Sequence, residues 1–69
     1  MATAKVIEII CEGDSIEKAI AAGIKDATTT LEQVKQFDVA HIQTHVEKGK
    51  IVKYRVRGQL TFVVEKAKR

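Results

Sequence analysis

Two histidines, His41 and His45, stand four residues apart in a segment that alternates polar and apolar types. On an extended strand that spacing separates them by about 13 Å along one face, too far to hold one metal ion within a single chain. Copies of the chain meeting at a symmetry axis can bring such groups together. The acids Glu8, Asp38 and Glu47 are the other residues that would gather a cation there. Lys53, Arg55 and Arg57 recur at alternate positions and form a basic row of the kind that neutralises phosphates. Nucleic-acid binding through that row is disfavoured, because single-strand binders stack bases on exposed rings. The aromatic residues are Phe37, Tyr54 and Phe62, and Tyr54 and Phe62 are expected in the core. Cys11 ends an apolar run with no adjacent basic residue, so it reads as a buried structural thiol. There is no Ser/His/Asp arrangement, no carboxylate pair in an obvious cleft and no glycine-rich phosphate loop, which argues against an enzyme.

These side chains need elements to hold them. Residues 5–11 are rich in β-branched types and read as a strand, with Ile7, Ile9 and Cys11 on one face and Val6, Glu8 and Ile10 on the other. Both faces are largely apolar, as suits a strand covered on both sides. Glu12, Gly13 and Asp14 break the run, and Asp14 with Glu17 has the spacing of a capping box. The helix that follows carries Ile16, Ile20, Gly23, Ile24, Ala27, Leu31 and Val34 as an apolar stripe. It is expected to end near Glu32 or Gln33, weakened by Thr28, Thr29 and Thr30. Gly23 inside the stripe costs up to about 1 kcal/mol against Ala, and close approach of a backbone is the expected return.

Residues 37–47 and 51–65 read as two strands of a hairpin joined through Lys48, Gly49 and Lys50. A three-residue loop sets Val46/Val52, Thr44/Tyr54, Ile42/Val56 and Ala40/Gly58 on one face. The other face then holds His45/Lys53, Gln43/Arg55 and His41/Arg57. A two-residue loop would pair His45 with Val52 and mix the faces, which a half-buried sheet resists. The last strand is expected to send Val52, Tyr54, Val56, Leu60, Phe62 and Val64 to the helix. The fold class is α+β in the order β-α-β-β, a three-stranded antiparallel sheet on one helix, as a single domain over residues 1–69.

A chain of 69 residues, 45% hydrophobic and 30% charged, has room for one domain. At this size only about 60% of the unfolded surface is buried, so the protomer's own core is thin. A lone cysteine forbids an internal disulfide, and no CxxC or EF-hand pattern offers a metal. Subunit association remains as the support. The N-terminus lacks a basic leader before a long apolar stretch, and no run approaches the ~20 apolar residues that cross a bilayer. A cytoplasmic, reduced setting with no membrane partner is the expectation. The net charge of +3 owes part of its excess to the tail Lys66, Lys68 and Arg69, which reads as a solvated end.

In this order the elements resemble the dodecins. The resemblance is carried by residues 5–9, by Glu17 and Ala19 of the helix, by Val34-Lys35 before Phe37-Asp38-Val39, and by Gly49-Lys50 leading to Tyr54 and Val56. It covers nearly the whole chain. It implies a hollow homododecamer with the sheet curled around the helix, in which flavins such as FMN or riboflavin bind in pairs near two-fold axes and are stored. The family's stacking tryptophan precedes the Phe-acid-Val segment, and that position here is Gln36. The family's flavin-binding glutamine follows the Tyr of the last strand, and that position here is Arg55. Losing the indole removes a stacking platform worth roughly 0.5–1.5 kcal/mol, and Arg55 brings like charges together across the axis. Flavin binding of the usual kind is therefore weakened. The chain is expected to be a non-enzymatic small-molecule store with Gln36 and Arg55 as ligand-binding positions and His41, Gln43, His45 and Arg57 lining a channel or interface. The alternatives are a ligand-free or metal-binding shell, and a nucleic-acid or protein binder using the basic last strand.

Overall fold

A computed structural model describes residues 2–65. The basic tail of Lys66, Lys68 and Arg69 lies outside them. The chain runs through strand β1 (Ala2–Gly13), helix α1 (Ile16–Ala27), strand β2 (Val34–Glu47) and strand β3 (Lys50–Glu65). The strands pair antiparallel in the order β1-β3-β2, so the last strand is the central one.

Strand β1 is longer than residues 5–11. Glu12 and Gly13 do not break it but pair with Arg55 and Tyr54. The helix is capped one residue later than the Asp14–Glu17 spacing suggests. Ser15 has extended backbone (φ -150, ψ 166), and its hydroxyl accepts the Lys18 N–H at 3.0 Å. The helix also stops at Ala27, short of Glu32. Thr28, Thr29 and Thr30 donate their hydroxyls to the carbonyls of Lys25, Asp26 and Ala27 at 2.8, 2.6 and 3.4 Å. Those bonds satisfy carbonyls that a continuing helix would have used, and they end it there.

The hairpin turn corrects the three-residue loop. Glu47 pairs with Lys50, leaving Lys48 (φ 52) and Gly49 (φ 75) as a two-residue turn with both central residues left-handed, the geometry that matches strand twist. A bulge at Val52 then restores the expected register, so that His45/Lys53, Thr44/Tyr54, Gln43/Arg55, Ile42/Val56 and His41/Arg57 pair as expected. Val46 pairs with Ile51 instead of Val52, which places Ile51 on the Val46 face. A second bulge at Ala40 hands Gly58 to Val39. It also carries Phe37 to the helix side, where it packs against the core.

The core centres on Cys11, Ala19 and Val56, flanked by Ile9, Ile20 and Phe37, with Leu60 and Phe62 also buried. Ala19, beside the stripe rather than on it, is the helix residue most deeply packed. A 12-residue helix spans about 18 Å, whereas a 16-residue strand spans about 53 Å. The body is accordingly drawn out, 59 × 19 × 12 Å, and the helix covers only part of the sheet. Among the described residues ten large hydrophobic side chains stay exposed, Val52 and Val64 of the expected helix-facing row included, whereas Val56, Leu60 and Phe62 are the large ones buried.

Candidate functional site

The register gathers the polar residues on the sheet face away from the helix. There β1 presents Glu8 and Glu12, β3 presents Lys53, Arg55 and Arg57, and β2 presents His41, Gln43 and His45. Glu12 stands directly opposite Arg55. Its Oε2 accepts from Arg55 Nε at 2.9 Å and lies 2.7 Å from Nη2, while Oε1 accepts from Lys53 Nζ at 3.2 Å. The Arg55 hydrogen bond first, and Lys53 second, hold the Glu12 carboxyl below its usual range. Arg57 bridges the strands: Nε lies 3.6 Å from Glu8 and Nη2 lies 3.1 Å from His41 Nδ1. Since a guanidinium only donates, His41 Nδ1 is the acceptor. Each cation of the row therefore has an acid beside it, with Glu12 shared by Lys53 and Arg55, which weakens the basic stripe that a phosphate backbone would need.

Gln43, Thr44, His45 and Arg55 line an open depression of about 500 Å³. Three residues singled out in the sequence thus meet in one place, with His41 and Arg57 one step along the same strands. Gln36 does not join them. It pairs with Thr61, six residues from Arg55 along β3, a separation of roughly 20 Å. Its Nε2 donates to both carboxylate oxygens of Asp38 at 3.0 and 3.1 Å. Gln36 borders a different groove, about 370 Å³, between Ile20 and Ile24 of the helix and Phe37 and Val39 of β2. Within one protomer the two family-equivalent positions stay apart, so a site that uses both draws them from different subunits.

Glu12 is the member of this cluster that the residue pattern does not single out, because Glu12-Gly13-Asp14 reads as a strand break. Continuing the β1–β3 alternation one residue past Cys11 places it beside Arg55. Cys11 is 2% exposed, and burial, then the charge of Asp26, pushes its thiol pKa up. Among the described residues no three His, Cys, Asp or Glu side chains converge on a metal position.

The dodecin family model matches residues 3–65. The chain belongs to the dodecin family. Its backbone is similar to the dodecin from Streptomyces davaonensis, with a TM-score of 0.88 at 24% identity, covering 94% of this chain and 97% of that one. An arginine-to-alanine variant of the Thermus thermophilus dodecin gives 0.89 at 24% identity over 97% and 100% of the two chains. A calcium-chelating antigen of Mycobacterium tuberculosis, called calcium dodecin and described with a novel calcium-binding site, gives 0.79 at 26% identity over 97% of each. No curated protein matches the chain. Dodecamer assembly is a property of this family, and the β-α-β-β dodecin fold is the one the residue pattern implied.

Proposed function

We propose that this dodecin is a single domain over residues 1–69 that works as a homododecameric shell, binding and storing a small molecule without catalysing its conversion. The observation that carries the reading is the open depression at Gln43, Thr44, His45 and Arg55 on a protomer whose described residues leave ten large apolar side chains uncovered. A concave, polar-lined recess beside apolar surface becomes an enclosed pocket when a second subunit closes over it. Sequestration is then an equilibrium property of the assembly. Gln36 has no ring to stack on isoalloxazine, so FMN or riboflavin would bind through the polar face of the site and less tightly than a tryptophan permits. Glu12 supplies the counter-charge that Arg55 needs at a two-fold axis, so paired arginines there do not depend on a bound anion.

The calcium-chelating relative favours one second reading, in which acids or His41 and His45 from several subunits hold a cation at an axis. No helix among the described residues is long and apolar enough to cross a membrane. The unpaired, buried Cys11 suits a reducing cytoplasm. Native mass spectrometry of the purified protein, alone and with riboflavin or FMN, tests the proposal. Twelve subunits taking up flavin in even stoichiometry are expected for a flavin store, whereas twelve that ignore it point to another ligand. A monomer or dimer would overturn the shell.

A further inference from the structure

The depression lies on the β2 side of β3, yet the Arg55 head is engaged on the opposite side, by Glu12 of β1. Arg55 Nε and Nη2 form one edge of the guanidinium fork, and both turn to the single oxygen Oε2 of Glu12, at 2.9 and 2.7 Å. That edge is one of the two through which a guanidinium grips a phosphate or carboxylate with parallel bonds. Lys53, the neighbouring cation, is drawn to the same carboxylate at 3.2 Å. Glu12 therefore occupies this edge and cancels one of the two positive charges beside the recess. What stays available are the amide of Gln43, the imidazole of His45 and the far edge of the Arg55 guanidinium. Gln43 and His45 offer single donors and acceptors suited to the polar rim of an uncharged planar ring, while a phosphate meets one net positive charge and one free guanidinium edge where it would otherwise meet two charges and the whole fork.

We propose that Glu12 sets the ligand preference of this depression, favouring an uncharged ring system over a phosphate group. The inference rests on the reading of the depression as the binding site, and its probe is chosen to be independent of flavin. Inorganic phosphate is titrated into the full-length assembled protein while the Arg55 Nε–Hε resonance is followed. Wild type is expected to hold that resonance in place through millimolar phosphate. Glu12→Gln is expected to show a saturable shift, and to gain about tenfold in affinity for FMN relative to riboflavin.

Saturable phosphate binding at Arg55 in wild type, at the affinity of the variant, overturns the proposal. An assembled Glu12→Gln protein whose Arg55 ignores phosphate overturns it equally. If the variant fails to assemble, the wild-type titration decides alone. Absence of flavin binding in both proteins, with the phosphate response as expected, removes the flavin store and leaves the role of Glu12 standing.

Discussion

Gly23 of the helix sits directly on the side chain of Cys11 in β1: a Cβ built at Gly23 would collide with the Cys11 Sγ and stand 3.0 Å from its Cβ. The nearest backbone atom, Cys11 Cα, is 3.8 Å away. The glycine thus makes room for a buried thiol and not, as its place in the apolar stripe suggests, for a passing backbone. This contact lets the helix lie close to β1 at the centre of the core.

Gly23→Ala is expected to destabilise the protein despite the better helix propensity of alanine. The propensity gain is at most about 1 kcal/mol, while overpacking a filled core costs about 1–3 kcal/mol. Urea unfolding should show a net loss, and Cys11→Ala in the same chain should recover part of it by removing Sγ. A double-mutant cycle with no coupling would show that the two side chains do not compete for this space.

The same burial makes Cys11 a poor nucleophile. Its thiol pKa is raised by desolvation and by Asp26, so little thiolate forms at mildly alkaline pH. A thiol-specific disulfide reagent should react with the native protein far more slowly than with the denatured chain. Equal rates in the two states would place the thiol in solvent.

The N-cap assignment is open to a direct comparison. Ser15→Ala removes the acceptor for Lys18 N–H and is expected to cost about 1 kcal/mol in chemical unfolding. Asp14→Ala should cost less, because Asp14 precedes the cap. The reverse ranking would restore the capping box read from Asp14 and Glu17.

Much of this fold is legible because its periods are simple. The Ile7/Ile9/Cys11 alternation and the Ile16–Ile20–Gly23–Ile24–Ala27 stripe give the strand and the helix, and the hairpin pairs His41/Arg57 to His45/Lys53 follow from matching like faces. Bulges hide from such matching. The two-residue turn and the bulge at Val52 cancel each other, so the central pairs agree with a three-residue loop while the Val46 partner does not. The site was half legible for a related reason. Gln43, His45 and Arg55 share one face of one hairpin, whereas Glu12 enters from a strand distant in sequence, and Gln36 can meet Arg55 only across subunits.

Glu12 also predicts how stability responds to acid. Its carboxyl is held below the ordinary value of 4.5 by Arg55 and Lys53, so its contribution is fully present above that value and is lost as pH falls through the lowered one. Unfolding curves for wild type should therefore fall more steeply than those for Glu12→Gln as pH drops below 4.5. The pair is solvent-exposed, so high salt should shrink the difference. Parallel acid limbs at low salt would show that the contact contributes nothing in solution.

The tip of the hairpin carries the test of assembly. Val46 and Ile51 pair at the far end of the 59 Å body, 57% and 52% exposed, and neither belongs to the protomer core. Exposed apolar pairs so placed are covered when subunits associate, and a carboxylate there would be buried without a partner at every equivalent interface. Val46→Glu is expected to leave the strand and helix content of the chain largely intact while reducing its sedimentation coefficient to that of a smaller species. Its position makes the distinction sharp, because no buried contact inside the protomer is removed. A Val46→Glu protein that sediments with wild type would mean that the hairpin tip stays in solvent, and the subunit contacts would then have to be sought along Val6, Ile10 and Val39 instead.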